Sequence, residues 1–198
     1  MLHLNGNLLC AIDVETTGLD PSKHEITEIC ILPLDAKLEV SRKIMPFNIF
    51  MRPDKPENID WGALKLTQTD FFQLCEKGMD KWAAADLFDE WFQKLKLAEW
   101  KRISPLAHNW PFDRAFIKEW LGSAGFELHI DGRFRDTMST ALYINDENDA
   151  KNEQCPFPKV NLSYLASTLK IDFDKIHNAL DDCVLTAKIY KQLVHKQY

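Results

Sequence analysis

The sequence lacks the features typical of membrane proteins, disulfide-rich proteins and strongly basic nucleic-acid-binding proteins. No segment of its 198 residues approaches 18 uninterrupted apolar residues, and no basic segment precedes the first apolar run, so we expect a soluble, cytoplasmic protein. The five cysteines are odd in number and include no Cys-x-x-Cys pair, which argues against a disulfide framework and a structural zinc site. No run of Lys and Arg exceeds two residues, and the net charge is -6.

Internal repeats and low-complexity tracts are also absent, and the chain is too short for two ordinary domains. With 45% hydrophobic residues it can bury one core, so we predict a single domain over residues 1–198. Strand-like runs come first, and their short connections favour antiparallel pairing. Strands then alternate with helices, which predicts an α/β fold with a mixed five-stranded sheet flanked by helices, its first three strands antiparallel. The predicted strands cover 8–14, 26–34, about 43–51, 102–107 and 133–136, and the predicted helices cover 61–74, 79–97, 111–126, 137–144, 161–169 and 178–193.

The longest predicted loop is the acidic segment from Asn145 to Lys159, which contains prolines and shows no periodicity. Loops of this length are either functional or mobile in compact domains. The sequence leaves open whether this one is a solvated connection or a lid or partner contact.

Two carboxylates interrupt the first apolar strand. Asp13 and Glu15 lie two residues apart, so they share one face of the strand, opposite Ile12 and Val14. Two like charges held this close raise each other's pKa unless a cation is supplied. Carboxylate oxygens suit Mg²⁺ or Mn²⁺. Asp-x-Glu alone also fits a strand end that emerges into solvent, so both interpretations stay open at this point.

Two further acids also have ordinary explanations. Asp113, in the segment AHNWPFDRAFI, follows a predicted strand at the start of a helix, where an acid suits the helix N-terminus. The segment HNALDDC places His177 five residues before Asp182. On the last predicted helix Asp182 lies in line with Ile189, which predicts that it faces inward and that Asp181 is the solvated acid of the pair.

The segments DVETTG, HNWPFD and HNALDD, in this order, resemble the three motifs of the DEDDh group, the DnaQ-like 3′–5′ exonucleases, which have a ribonuclease H-like fold. The resemblance runs from Asp13 to Asp182, and all five functional positions are filled. It implies that Asp13, Glu15, Asp113 and Asp182 bind two Mg²⁺ or Mn²⁺ ions. It also implies that His177 is the general base, since a neutral imidazole can accept a proton from water near neutral pH.

The resemblance implies metal-dependent hydrolysis at nucleic-acid 3′ ends, with release of 5′-mononucleotides. The first motif is more similar to those of proofreading and repair members, which favours single-stranded DNA as the substrate. The alternative is an RNA-specific exoribonuclease similar to oligoribonuclease or ribonuclease T. A non-catalytic nucleic-acid-binding module is a further interpretation, and the five filled positions argue against it. A structural domain whose acids are only surface charge is another, and binding of two Mn²⁺ ions would exclude it. Without the four proposed ligands the net charge of -6 becomes -2, so the acidic balance does not exclude a phosphate substrate.

The resemblance also implies contacts with the terminal nucleotide. In the family, residues after the first-motif glutamate touch this nucleotide, so the Thr16 backbone and Leu19 are candidate contacts, although the same segment fits a simple turn. Trp110 in the second motif is a candidate for stacking on a base. Alternating aromatic residues beside a strand also pack in cores, and this alternative stays open.

Overall fold

The computed structural model describes residues 6–66, 70–173 and 178–195, which form a mixed β-sheet with helices on both faces. Its strands are β1 (Leu8–Thr16), β2 (Ile26–Pro33), β3 (Phe47–Phe50), β4 (Ile103–Ala107) and β5 (Arg135–Asp136). Its α-helices are α1 (Trp61–Leu66), α2 (Phe71–Lys77), α3 (Lys81–Lys94), α4 (Trp110–His129), α5 (Thr137–Asp149), α6 (Leu162–Thr168) and α7 (Ala179–Val194).

The sheet confirms the predicted α/β architecture. In the described residues its strand order is β3-β2-β1-β4-β5, with β1–β2 and β2–β3 antiparallel. The pairs β1–β4 and β4–β5 are parallel. Loops over residues 17–25 and 34–46 join the antiparallel strands, whereas α4 crosses between the parallel strands β4 and β5, as parallel pairing requires.

The central strand β1 is buried by helices from both sides because its side chains alternate between two cores. One face, which includes Val14, belongs to the larger core with Phe88 of α3 and Phe116 of α4. The other face, which includes Ala11, packs in a core with Cys183 of α7. Asp13 and Glu15 lie on this second face, at the end of the strand next to α7. The fold therefore brings the first and third sequence motifs together.

The predicted helix over 61–74 is wrong, because two helices occupy this region. α1 ends at Leu66, and Asp70 begins α2 by accepting hydrogen bonds from the N–H groups of Phe72 and Gln73 at 3.0 and 3.2 Å. An aspartate at this position favours a new helix start over continuation, since its carboxylate satisfies N–H groups that lack a partner within the helix. The third strand is also shorter than predicted, and α4 continues to His129 across a kink at Gly122, whose φ is 69°.

The predicted loop from Asn145 to Lys159 is also partly wrong, because α5 continues to Asp149. The Asn145 side chain donates to the Phe157 carbonyl at 2.7 Å and accepts from the Phe157 N–H at 3.0 Å. Phe157 is buried in a third core, with Leu165 of α6 and Ile189 of α7. The segment shows no apolar periodicity because it is anchored by the Asn145 amide and the Phe157 ring rather than by a stripe of apolar residues. Among the helices of the described residues, none is long and apolar enough to cross a lipid bilayer.

Candidate active site

Three carboxylates meet at the carboxyl end of β1. Asp13 and Glu15 come from the strand and Asp182 from the first turn of α7, and one oxygen from each lies within 4.8 Å of the others. All three side chains are half-buried. This spacing is compatible with shared binding of a divalent cation.

Small residues allow α7 to lie close to the sheet. Ala179, Cys183 and Ala187 are spaced four residues apart and are all buried against the sheet. Asp182 precedes Cys183, so it projects from the edge of this stripe towards β1. Asp181 is exposed to solvent, and it accepts a hydrogen bond from the Asn178 side chain at 2.7 Å. The structure thus places the two acids as the helical periodicity predicts.

Asp113 reaches the site from the first turn of α4. Asn109 begins this helix with left-handed backbone angles (φ 70°, ψ 52°), a conformation that asparagine tolerates better than most residues. The pairing of β1 with β4 ends at Ala11. Val14 lies beyond the paired residues, and its N–H donates to the Asp113 carboxylate at 3.1 Å. Asp113 is 2% exposed. Among the described residues it is not in the group of three acids whose oxygens lie within 4.8 Å of one another.

The four acids of the site are held in an environment that disfavours their charge. Burial raises the pKa of Asp13 well above its ordinary value, and repulsion from Asp113 and Glu15 adds to the shift. Burial and the charge of Asp182 raise the pKa of Glu15 to about 7. Burial and the charge of Asp181 raise the pKa of Asp182 to about 6. Burial also raises the pKa of Asp113, although its hydrogen bond from Val14 opposes the shift.

These acids fit a divalent metal site. Repulsion among carboxylates is relieved by a cation, and the described residues place no Lys or Arg in an ion pair with Asp13, Glu15, Asp113 or Asp182. An all-oxygen ligand set is the one that Mg²⁺ and Mn²⁺ prefer. The acidic cluster therefore has both the oxygen ligands and the uncompensated negative charge that such an ion requires.

We expect the metal-free protein to lose stability as the pH rises. The folded pKa of Glu15 (about 7) lies above its ordinary value of 4.5, and that of Asp182 (about 6) lies above 3.8. Their contribution to stability is therefore present at low pH and is lost as the pH rises from about 4 through about 7.

A divalent ion that binds the ionised carboxylates is expected to offset this loss. Thermal denaturation with EDTA or Mn²⁺, at about pH 5 and about pH 8, measures the effect. Mn²⁺ at about 100 times its dissociation constant is expected to raise the Tm by about 5 to 10 °C at the higher pH, and by less at the lower pH. Equal shifts at both pH values would argue against carboxylate ligands.

The turn after Glu15 is closed by its own hydrogen bonds. Thr16 is buried, and its hydroxyl donates to the Gly18 carbonyl at 2.6 Å. A Cβ atom at Gly18 would lie 2.5 Å from the His24 ring, so a larger residue there would displace this ring. Leu19 projects from the turn and is 77% exposed. The Thr16 hydroxyl is thus occupied within the turn, whereas the Leu19 side chain is free to contact a ligand, and nucleotide contact by the Thr16 backbone and Leu19 stays a prediction.

Trp110 is a core residue in this structure, which argues against its predicted stacking on a base. It is 2% exposed and stacks on Phe126, with ring centroids 6.5 Å apart. Its backbone N–H donates to the Asp136 carboxylate at 2.6 Å, which fixes the start of α4. Trp110 lies on the face of α4 that packs inward, so its ring is enclosed by aromatic side chains. Phe112, in the same motif, is only partly buried.

The predicted general base, His177, lies outside the described residues. The description resumes at Asn178, whose side chain begins α7 by accepting from the Asp181 N–H at 2.9 Å. The second motif contains another histidine, His108, whose Nδ1 lies 2.8 Å from the Thr137 hydroxyl. Burial lowers the pKa of His108.

Two acids that organise the site were not identified from the sequence. Glu28 on β2 is 4% exposed, lies opposite Glu15 in the strand register, and accepts from the Ala179 N–H at 3.2 Å. Asp136 at the end of β5 accepts the Trp110 N–H and begins α5. Glu28 had a recognisable signal, since an acid inside the apolar segment ITEICILP is as unusual as Asp13 in β1.

A family comparison identifies the protein class to which this site belongs. The model of the family described as RNase_T, exonuclease, matches residues 10–190. The chain belongs to this exonuclease family. The match covers every described acid of the site and confirms the predicted DnaQ-like family and its enzyme class, 3′–5′ exonuclease.

Curated relatives of this exonuclease include both DNA-polymerase subunits and ribonucleases. The chain is 28% identical over 185 residues to DNA polymerase III subunit epsilon of Rickettsia felis, covering 92% of this chain and 72% of the relative. It is 27% identical over 193 residues to ribonuclease T of Haemophilus influenzae, covering 93% and 78%. The two names differ in the nucleic acid that they indicate.

A solved structure confirms the ribonuclease H-like fold of the exonuclease. Escherichia coli exonuclease I, solved in complex with a dT13 oligonucleotide, superposes with a TM-score of 0.74 and 17% sequence identity. The alignment covers 96% of this chain and 42% of exonuclease I, so the chain spans less than half of that protein.

Proposed function

We propose that this exonuclease releases 5′-mononucleotides from the 3′ ends of single-stranded DNA by metal-dependent hydrolysis. The observation that carries the proposal is the convergence of Asp13, Glu15 and Asp182 at the end of β1, with Asp113 beside them. The family match supplies the reaction class, and the site supplies an acidic centre to which the described residues contribute no Lys or Arg ion pair. A phosphodiester substrate therefore requires cations at this centre to relieve repulsion of its own charge.

The residues have separate roles in this proposal. Asp13, Glu15, Asp113 and Asp182 hold two Mg²⁺ or Mn²⁺ ions, which supply activation of the attacking water and stabilisation of the leaving 3′ oxygen when bound. His177 accepts the proton of the water as it attacks the phosphorus atom. The bond between phosphorus and the 3′ oxygen breaks, which yields a 5′-mononucleotide and a shortened strand with a new 3′ hydroxyl.

The surroundings of the acids support this division of roles. Asp113 is held at the site by the Val14 N–H, and the buried packing of α7 holds Asp182 beside the strand. Preorganised ligands avoid the cost of moving charged groups during the reaction. Leu19, exposed on the turn that follows Glu15, is proposed to pack against the terminal nucleotide together with the Thr16 backbone.

Single-stranded DNA is the preferred substrate in this proposal. The polymerase epsilon relatives and the DVETTG motif favour DNA, and exonuclease I was solved with a single-stranded dT13 oligonucleotide. The second candidate is an RNA-specific 3′–5′ exoribonuclease, which the ribonuclease T relatives favour. A protein that selects RNA requires a contact with the 2′-hydroxyl, and this distinction is open to experiment.

Matched DNA and RNA oligonucleotides of one sequence test the proposal. Each is labelled at its 5′ end, supplied single-stranded or with a 3′ overhang, and incubated with Mg²⁺, Mn²⁺ or EDTA. We expect a ladder of labelled products with either metal and none with EDTA, and faster degradation of single-stranded DNA than of RNA. Faster RNA degradation would support the second candidate. Binding without any cleavage would instead indicate a non-catalytic nucleic-acid-binding module.

A further inference from the structure

Glu28 is a buried acid of the site that sequence motifs do not explain. It lies in the middle of the sheet on β2, directly opposite Glu15, and is 4% exposed. Its charge adds to the repulsion experienced by Glu15 and Asp182. A third acid at this place is unfavourable unless its carboxylate makes compensating contacts.

Both oxygens of Glu28 face hydrogen-bond donors of the protein. Oε2 accepts from the Ala179 N–H at 3.2 Å. Oε1 lies 3.2 Å from the Asn48 side-chain nitrogen, in the amide orientation that also lets this nitrogen donate to the Ile29 carbonyl. Burial raises the pKa of Glu28, and these two hydrogen bonds oppose the shift. Burial also raises the pKa values of Asp13, Glu15 and Asp182, which have no opposing hydrogen bond in the described part of the chain. Glu28 is therefore directed at the protein and the other acids at a ligand.

The contact with Ala179 has a specific structural consequence. Ala179 is the first residue of α7, and the first N–H groups of a helix have no partner within it. Asn178 satisfies the Asp181 N–H, and Glu28 satisfies the Ala179 N–H from the neighbouring strand. About one helical turn separates Ala179 from Asp182. A carboxylate that fixes the position of Ala179 therefore also fixes the distance of Asp182 from β1.

We propose that Glu28 is a positioning residue, which binds the N-terminus of α7 and so holds Asp182 in register with Asp13 and Glu15. Glu28 does not bind the metal in this assignment. Only the predicted effect of Glu28 on metal affinity rests on the proposed function. The favourable interaction between a helix N-terminus and a carboxylate also explains why an acid can lie opposite Glu15.

Two substitutions distinguish positioning from ligation. Glu28→Gln keeps an oxygen for the Ala179 N–H, and Asn48 can present its own oxygen to the new amide. Glu28→Ala removes the acceptor. We expect Glu28→Ala to weaken Mn²⁺ affinity and lower kcat by about 10- to 100-fold, as loss of a group that orients metal ligands typically does, with little change in KM. Glu28→Gln is expected to stay close to the unsubstituted protein.

Amide hydrogen exchange of Ala179 in the metal-free protein provides an independent measurement. Exchange is expected to be at least tenfold faster in Glu28→Ala and unchanged in Glu28→Gln. Asn48→Ala removes the second donor to Glu28 and is expected to accelerate exchange of Ala179 by a smaller factor. This variant replaces Glu28→Ala in the test if Glu28→Ala fails to fold. Glu39→Ala is the matched control, because Glu39 pairs with Lys191 near the other end of α7 at 2.7 Å. It is expected to change neither Mn²⁺ affinity nor Ala179 exchange.

Two results would overturn the assignment. If Glu28→Gln loses as much Mn²⁺ affinity as Asp13→Asn while Ala179 stays protected, Glu28 acts through its charge as a ligand. If neither Glu28→Ala nor Asn48→Ala accelerates exchange of Ala179, the contact does not position α7. Because exchange is measured without metal or substrate, this result is distinguishable from a failure of the proposed function.

Discussion

Asp13→Asn is expected to lower the exonuclease rate by on the order of 10³-fold or more. Metal-ion catalysis contributes several kcal/mol of transition-state stabilisation, and each 1.36 kcal/mol corresponds to a tenfold change in rate. Asp13 lies at the centre of the acidic cluster, beside Glu15, Asp113 and Asp182. Its amide replacement keeps the shape of the side chain but loses the charge that a metal requires. Single-turnover hydrolysis of a 5′-labelled oligonucleotide measures the loss.

The same substitution is expected to leave the metal-free fold intact. Burial and like charges raise the pKa of Asp13, so a neutral side chain removes repulsion from this site. The Tm in EDTA should therefore be equal to or above that of the unsubstituted protein, while the increase on adding Mn²⁺ should be reduced. Asp181→Asn is the matched control, since Asp181 is exposed on α7 beside Asp182. Loss of activity in both variants, or in neither, would refute the assignment.

His177→Ala is expected to lower the rate by about 10²- to 10⁴-fold, the usual contribution of a general base. Mn²⁺ binding and the metal-induced rise in Tm should be retained, because His177 is not proposed as a ligand. This combination separates proton transfer from metal binding. The rate and the Mn²⁺ affinity are measured on the same preparation, over a range of pH.

His195→Ala provides a control, because His195 is an exposed histidine at the C-terminal end of α7. It should retain full activity and metal affinity. A His177→Ala variant with an unchanged rate would remove the histidine from the mechanism. A variant that loses Mn²⁺ binding instead would place His177 among the residues that maintain the metal site.

The acids of the site were predictable from three ordered motifs together, because each acid alone also has an ordinary explanation. Asp13 interrupts an apolar strand, and the helical period separates an inward Asp182 from an outward Asp181, as the structure places them. The antiparallel pairing of the first three strands was also predictable, since connections too short for a crossover favour antiparallel neighbours. Local patterns are reliable where a side chain's position depends on its own strand or helix.

Features that depend on contacts distant in sequence were not predictable. Trp110 is adjacent to an acid of the site, yet its ring is enclosed by Phe126, 16 residues further along α4. Asn145 continues a helix because its amide binds Phe157 across a turn. Glu28 contacts Ala179 across 151 positions of sequence. Each of these depends on how elements pack, which residue periodicity does not encode.

The most direct test of the metal site is calorimetric titration of the metal-free protein with Mn²⁺ at about pH 8. Four carboxylates around the end of β1 predict saturable binding of two ions per chain, with affinity that falls as the pH is lowered through the pKa values of Glu15 (about 7) and Asp182 (about 6). Asp13→Asn is expected to lose at least one of the two ions. Absence of saturable binding, or identical titrations for the unsubstituted protein and Asp13→Asn, would contradict the account.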